Sequence, residues 1–389
     1  MAGATLITSV SQAMDTMKAL GEQSMFFDPI YHQESRQALA SIIHGRMEAR
    51  VSAHLEGCKE RGIEDRRNGS YSRHLLVGVG DLELRVPRTR IYIPLKVLER
   101  YARRAPQIDR LILAAFVLGL STRKVGTALL HLLGEPVSAT TVSKVAKQLD
   151  AEVAAWHCRR LPERYRVLLF DGVALSRKTG AGAIRRPVLV VLGIRPDGRK
   201  EVIDFRLAHG ESQAAWETFL TDLYNRGLEA GEVELAVSDG GKGLLAALPY
   251  VYPHLPVQRC WVHKMRNVLD KVRKTDREVV KADLQRIMNA SGIQAARKAA
   301  AVFAHKWQAP YRKAVACLAG DLDALFEHYC FKEPKWRKAS RSTNAIERCF
   351  VEVRRRTRPM GVMADRASME RILYAVFTGI NQNQGTATL

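Results

Sequence analysis

Residues 236–244 read AVSDGGKGL. A short apolar run ends in Asp239, and two glycines and a lysine follow. A carboxylate at the mouth of a buried strand is penalised by desolvation unless something neutralises it. An earlier stretch, RVLLFDGVAL at 166–175, has the same grammar: an apolar run broken by Asp171 and followed by glycine. Asp-Gly is a common turn pair, so either aspartate alone reads as a strand-end turn. Two of them in one sheet point instead to paired carboxylates. Such pairs repel, which drives their pKa values upward or apart, and a divalent cation relieves the repulsion. Magnesium takes oxygen ligands and keeps several waters, so two or three carboxylates suffice.

Working outward, RPVLVVLGI (186–194), EVIDFRLAH (201–209), VELAVSD (233–239) and VQRCWV (257–262) read as further strands. Pro196-Asp197-Gly198 marks a turn, and Ser212 caps a helix carrying Ala215, Phe219, Leu220 and Leu223. Hairpin-linked strands followed by strands alternating with helices predict a mixed α/β sheet. Residues 263–338 are mostly helical and basic and predict an α-helical insertion, about 268–340. RSTNAIERCFVEVRRRTRPMG (341–361) predicts a helix, and a last helix covers about 367–380. Glu347 in the first of these is a third carboxylate candidate. It also fits the N3 position of a capping box with Asn344 as N-cap, and periodicity does not separate the two readings.

The chain has 389 residues, room for two or three domains. Its 47% hydrophobic and 26% charged residues exclude a disordered or fibrous class. The net charge of +21, from 61 Lys and Arg against 40 Asp and Glu, predicts attraction to a polyanion. The charge is clustered, which favours nucleic acid over a merely basic protein. The six cysteines form no C-x-x-C pair and predict free thiols in a reducing cytosol. Cys260 and His263, spaced C-x-x-H, raise zinc. A structural zinc site needs about four ligands, usually as two spaced pairs, and His254 and Cys317 are isolated. The expectation is a packed cysteine and a hydrogen-bonding histidine near the acidic site. The opening MAGATLITSVSQAMDTMK lacks a signal-peptide pattern. No apolar run approaches the ~20 residues of a membrane span, so no membrane partner is expected.

Toward the N-terminus, residues 33–56 predict a helix with Leu39, Ile42, Ile43, Met47, Val51 and Leu55 near one face. KERGIEDRRNGSYSR reads as a polar connection, and LLVGVGDLELRVPR as a β-hairpin turning at Gly80-Asp81. Residues 85–124 hold ten Lys and Arg against two acidic residues. LSTRKVGTALLHLLGEPVSATTVSKVAKQLD (120–150) then predicts two short helices. Ser121 or Thr122 caps the first, Gly134 and Pro136 stop it, and Ser138 caps the second, which carries Val142, Val145, Ala146 and Leu149 on one face. Helix-turn-helix and an ordinary αα-hairpin both fit. The net charge favours DNA, with Arg123, Lys124, Thr140, Thr141, Ser143 and Lys144 as candidate contacts to phosphates and base edges.

The order and wording of eight segments resemble the Mutator-like family of bacterial insertion-sequence transposases: RRNGSYSR, LELRVPRTR, GLSTRKV, VSATTVSKV, LLFDGV, VSDGGKGL, QRCWVHKMRN and STNAIERCFVEVRRRTR. The resemblance runs from about residue 66 to 380. It implies an α/β, ribonuclease-H-like mixed-sheet catalytic domain (163–389) whose DDE triad is interrupted by the helical insertion. A helical and β-hairpin region (1–104) and a helix-turn-helix-like DNA-binding domain (105–162) would precede it. Matched residue by residue, it implies Asp171, Asp239 and Glu347 as catalytic metal ligands for two Mg²⁺ ions, with Mn²⁺ as the alternative. Cys260 and His263 would support the site. Gly172 stands where alanine is common. The resemblance implies binding of terminal inverted repeats, then metal-dependent cleavage and strand transfer on double-stranded DNA, element ends and target, without a covalent enzyme–DNA intermediate. It also implies a homodimer or larger working complex and a cytoplasmic, nucleoid-associated location in a bacterium. Arg354, Arg355 and Arg356, just past the glutamate, are expected on the DNA backbone. The rival readings are a nuclease that cuts without joining and a DNA-binding regulator without chemistry. No tyrosine carries the H-x-x-R company of a tyrosine recombinase.

Overall fold

The computed structural model describes residues 29–97, 103–133, 136–161, 164–179, 182–229, 231, 233–363 and 365–384. Residues 1–28 and Gly134 of the sequence reading lie outside this set. The chain divides into two compact units, residues 1–149 with 358–360, and residues 150–357 with 361–389.

The first unit opens with α1 (Pro29–Glu60) and a hairpin of β1 (Arg67–Val77) and β2 (Gly80–Thr89). Leu75, Val77, Leu82 and Leu84 form the hairpin's buried face, with Leu39, Ala40 and Ile43 of α1 packed on it. Leu39, Ile43, Met47 and Val51 follow one i, i+4 row. Ile42 falls one residue off that row and is 57% exposed, so it does not belong to the predicted apolar face. The hairpin turn also differs from expectation. Val77 pairs with Gly80 and Leu76 with Asp81, so the two turn residues are Gly78 and Val79. Gly80 is the first residue of β2, with φ of 114°. The polar run RNGSYS belongs to β1, whose residues 67–72 are exposed throughout, so no apolar alternation marked them as a strand. Asp65 joins the end of α1 to the chain leaving β2. Its carboxylate accepts from Ile91 N at 3.1 Å and Arg66 N at 2.8 Å and meets His54 Nε2 at 2.8 Å.

Helices α2 (Pro106–Val117), α3 (Thr122–Leu133) and α4 (Ala139–Ala146) complete the unit. Ser138 caps α4 by accepting from Thr141 N at 3.2 Å, as the sequence predicts. Val142, Val145 and Ala146 are buried. The second helix is shorter than expected: it ends at Ala146, and Leu149 opens a separate helix, α5 (Leu149–Cys158). Gly126 lies inside α3, where a Cβ would stand 2.2 Å from the carbonyl oxygen of Val137. The glycine lets the strand-like approach to α4 pass directly over α3.

The second unit is built on a five-stranded sheet of β3 (Val167–Thr179), β4 (Gly182–Ile194), β5 (Lys200–Leu207), β6 (Leu235–Ser238) and β7 (Val257–Arg259), in the order β5-β4-β3-β6-β7. The pairs β3–β4 and β4–β5 are antiparallel, and β3–β6 and β6–β7 are parallel. This is a mixed α/β architecture. Residues 188–194 of β4 are buried without interruption, the pattern of a strand covered on both faces. Helices α6 (Gln213–Asn225) and α7 (Lys242–Val251) share a core with the sheet that includes Phe170, Leu189, Phe219, Leu223 and Leu248. Next come α8 (Trp261–Leu269), α9 (Arg277–Met288), α10 (Ile293–Trp307), α11 (Arg312–Ala319) and α12 (Pro334–Ser340). The first four close around a separate core containing Trp261, Leu284, Phe303 and Leu318. The chain then runs into α13 (Asn344–Met360) and α14 (Arg366–Gln384). Asn381 of α14 accepts from Val202 N at 2.8 Å and donates to Val202 O at 3.0 Å, on β5. Phe377 packs on Phe205 of the same strand, ring centres 5.4 Å apart. Among the described residues no helix is long and apolar enough to cross a membrane.

Asp204 on β5 is 1% exposed. It meets His157 Nδ1 at 2.8 Å and pairs with Arg226. A buried charge of this kind stabilises only while its partner remains. Asp204→Ala is therefore expected to cost roughly 3 kcal/mol in urea unfolding. A loss below about 1 kcal/mol would mean that Asp222, 3.1 Å from Arg226, takes over the guanidinium.

Candidate catalytic carboxylate site

The parallel register of β3 and β6 builds the site. Val167 pairs with Leu235, and the match runs in step to Phe170 and Ser238. The next residue along each chain segment is an aspartate, Asp171 within β3 and Asp239 just past the end of β6, so the register sets the two side by side. Asp171 is not a strand-end turn. It pairs with Val190, and β3 continues along β4 to Thr179. β6, by contrast, stops at Ser238. Asp171 thus sits where β3 loses its neighbour on one side, the kind of crevice in which open α/β sheets hold ligands.

Asp171 is 8% exposed, and one carboxylate oxygen accepts from Gly172 N at 2.7 Å. Burial pushes its carboxyl up from an ordinary 3.8 to about 7. The charges of Asp239 and Glu347 add to the rise, against Gly172 N–H and His263. Beyond Asp239 the chain turns at once. Gly241 N donates to Asp239 Oδ1 at 2.8 Å and Gly240 N to Ser238 Oγ at 2.8 Å. Gly240 has φ of 85°, and the place a Cβ would take lies 0.7 Å from Arg259 Nη1. The positive φ favours glycine there, and a side chain would also have to displace the Arg259 guanidinium. Gly241, the N-cap of α7, has φ of −54° and needs no such freedom.

Glu347 reaches the site by a longer route. Cys260 N donates to Ser238 O at 2.7 Å, which anchors the start of α8 beside β6. The buried Cys260 Sγ accepts from Thr343 N at 3.3 Å and Thr343 Oγ1 at 3.4 Å. Thr343 O in turn accepts from Glu347 N at 3.0 Å as α13 begins. His263, one turn into α8, places Nδ1 3.3 Å from Cys260 Sγ and Nε2 3.4 Å from Glu347 Oε1. Glu347 thus faces His263, and Thr343, not Asn344, stands at the N-cap position. Burial alone would raise the Cys260 thiol, but hydrogen bonds with His263 and Thr343 bring it below its ordinary value. The Cys260 bond raises His263 most, and the charges of Asp171 and Glu347 add to it.

The three acids are an open set. Among the described residues, the one His, Cys, Asp and Glu group whose ligand atoms all lie within 4.8 Å of one another is His54, Cys58 and Asp65, in the other unit. Of the arginines after Glu347, Arg354 is exposed, while Arg355 and Arg356 both bond to Glu352. In the first unit, Arg123 and Lys124 are exposed at the start of α3. On α4, Thr140 and Lys144 are exposed, and Thr141 and Ser143 are half-buried. Thr141 Oγ1 is taken by Ser138 Oγ at 3.0 Å.

A sequence model described as "Transposase, Mutator family" matches residues 9–386. The chain belongs to the Mutator family of transposases. It is 31% identical over 355 residues to the transposase for insertion sequence element IS905 of Lactococcus lactis subsp. lactis, covering 90% of this chain and 89% of that protein. Over 379 residues it is 31% identical to the transposase for insertion sequence element IS256 in transposon Tn4001 of Staphylococcus aureus, covering 96% of each. It is 39% identical over 233 residues to the transposase for insertion sequence element IST2 of Acidithiobacillus ferrooxidans, covering 59% of this chain and 78% of that protein.

In this Mutator-family chain two further side chains border the site that sequence pattern did not single out. Arg259 fills the space above Gly240, and its Nε lies 3.4 Å from Asp321 Oδ2. Glu211, before α6, carries a carboxyl raised by burial and then by Asp239. Arg259 lies in the QRCWVHKMRN segment without a spacing that marks it, and Glu211 lies in no periodic or motif position.

The raised Asp171 carboxyl gives a sign to pH dependence. The folded, metal-free protein keeps that proton to about pH 7, and an unfolded chain releases it near 3.8. The stability it supplies is complete below pH 4 or so and is lost as pH rises through about 7. Melting in EDTA is expected to show this decline, and Asp171→Asn to flatten it. An unchanged slope in the variant would remove Asp171 as its source.

Proposed function

We propose that this chain is a DDE transposase in which Asp171, Asp239 and Glu347 bind divalent metal and direct DNA strand cleavage and strand transfer at the terminal inverted repeats of an insertion sequence. The observation that carries the reading is the register that sets Asp171 beside Asp239, with Glu347 brought to them through Cys260 and His263. The strand order, three antiparallel strands followed by two parallel ones, supports a ribonuclease-H-like domain.

The donor set fits a hard cation. It offers carboxylate oxygens, and an aspartate whose proton affinity is raised by burial and then by its acidic neighbours gains from a cation. Mg²⁺ is the expected ion, two per site, with Mn²⁺ as the alternative. When bound, the ions supply activation of the attacking oxygen and charge stabilisation at the leaving 3′ oxygen. Asp171 must surrender its proton to bind metal. His263 holds Glu347 at Nε2 while Cys260 holds the opposite ring nitrogen, so the glutamate arrives oriented. No side chain is needed as a covalent nucleophile, because a freed 3′-OH attacks the target strand. Arg123, Lys124, Thr140, Thr141, Ser143 and Lys144 would contact the element ends, and Arg354 the backbone near the site. Arg355 and Arg356 would have to exchange Glu352 for phosphate. Two ends are joined together, which calls for a homodimer or larger assembly working on chromosomal DNA in the bacterial cytoplasm.

A labelled duplex bearing the element's end tests the reading. With Mg²⁺ the wild type is expected to give cleaved and joined products, and EDTA or Asp239→Asn to abolish both while DNA binding persists. Cleavage without joining would indicate a nuclease, and binding without metal-dependent products a DNA-binding relic. Lys144→Ala is expected to weaken DNA binding and lower the salt dependence by about one phosphate contact. Unchanged affinity and slope would take α4 out of the interface.

A further inference from the structure

A histidine, a cysteine and an aspartate meet at the end of α1, in the first unit. His54 and Cys58 are about one helical turn apart, so both side chains leave the same face of the helix. The helix then ends in a tight reversal. Ile63 N donates to Cys58 O at 2.9 Å and Gly62 N to Lys59 O at 3.1 Å, with Gly62 at φ of 68°. The reversal brings Asp65 back onto the face that His54 and Cys58 share. His54 Nε2 lies 2.8 Å from Asp65 Oδ2 and 3.4 Å from Cys58 Sγ, and the three ligand atoms all lie within 4.8 Å of one another. Cys58 and the Asp65 side chain are buried, and the His54 side chain is 19% exposed.

Hydrogen bonding alone does not account for this cluster. Nε2 carries either one proton or one lone pair. A proton given to Asp65 Oδ2 leaves nothing on Nε2 to accept from the Cys58 thiol, and a lone pair turned to the thiol also faces a carboxylate. Asp65 is braced in the way ligating carboxylates are: Oδ1 accepts from Arg66 N at 2.8 Å and Ile91 N at 3.1 Å, which turns Oδ2 to the imidazole. The spacing suits a small tetrahedral ion. Zinc bond lengths of about 2.0–2.3 Å place ligand nitrogen and oxygen about 3.4 Å apart, and nitrogen and sulfur about 3.5 Å apart. The nitrogen–sulfur separation is met as the structure stands, and the nitrogen–oxygen one widens by about half an ångström.

We propose that His54 Nε2, Cys58 Sγ and Asp65 Oδ2 bind a Zn²⁺ ion, with water in the fourth position on the side where the imidazole is exposed. A mixed nitrogen, sulfur and oxygen set selects a borderline-soft ion, unlike the all-carboxylate set of the second unit. On binding, the thiol releases its proton to solvent and coordinates as thiolate. The ion fastens the end of α1 to the connection before β1 and, through Asp65 Oδ1, to the chain leaving β2. The site stands whether or not the acids of the second unit hold metal.

The test uses Co²⁺, a coloured stand-in for zinc, titrated into the chelator-stripped full chain in buffer containing Mg²⁺. A thiolate bound to Co²⁺ gives a charge-transfer band that carboxylates do not. Wild type is expected to develop that band, and Zn²⁺ to displace it. Cys58→Ser should lose the band, and His54→Gln and Asp65→Asn should weaken Co²⁺ binding by more than about tenfold, the least that losing an outer partner of a metal ligand costs. Asp65→Asn keeps an oxygen for the two backbone donors, so it separates loss of metal from loss of fold. Zn²⁺ should raise the melting temperature of wild type and not of Asp65→Asn. No charge-transfer band in wild type overturns the proposal, and so does a band that persists in Cys58→Ser, because it comes from another thiol. Wild-type affinity in both His54→Gln and Asp65→Asn overturns it as well. A plain His54–Asp65 pair would lower the metal-free melting temperature of those variants and leave wild type indifferent to Zn²⁺.

Discussion

Two carboxylates set side by side by a parallel strand register are the constraint on which the rest of the second unit depends. β3 and β6 keep step for four pairs and then each delivers an aspartate. Hydrogen bonding between the strands fixes the pairing, so the charges cannot drift apart without costing the sheet its register. The surroundings moderate this enforced repulsion. Gly172 N and Gly241 N donate to the two carboxylates, and the His263 ring lies near enough to be raised by both Asp171 and Glu347. The charge is softened without being cancelled.

The helical insertion raises a second problem, because it has its own core and lies between Asp239 and Glu347 in the chain. The structure closes that gap locally. Cys260 is bonded to β6 on one side and to Thr343 on the other, and His263 spans from Cys260 to Glu347. Asp321, within the insertion, pairs with Arg259 and Lys264 and ties the excursion back to the end of the sheet. The C-x-x-H spacing is one helical turn, which lets a cysteine at the helix start and a histidine above it address the same neighbour.

Much of this was legible in the sequence, for identifiable reasons. The central strands of the second unit are largely buried, so they read as apolar runs, and an aspartate interrupting such a run is conspicuous. Ser138 and Ser212 announce helix starts because capping is local chemistry. What depends on contact between distant segments did not show. Gly126 matters for what packs against it, and Gly240 also carries a local backbone requirement. The hairpin turn was misplaced by two residues because Gly78 and Gly80 both look like turn glycines, and only the pairing tells them apart. In sequence Glu347 fits a helix cap, and only the fold shows Thr343 at the cap position and His263 beside the glutamate. Glu211 offered no pattern at all.

The clasp at the outer edge of the sheet has a consequence of a different kind. β5 is an outermost strand, and such strands invite a neighbouring chain to add itself by hydrogen bonding. Asn381 presents an amide to Val202 with the same donor and acceptor a passing strand would use. One side chain near the end of the last helix therefore acts as a decoy strand. Blocking that edge denies a second copy of the chain the place where it would otherwise add a strand.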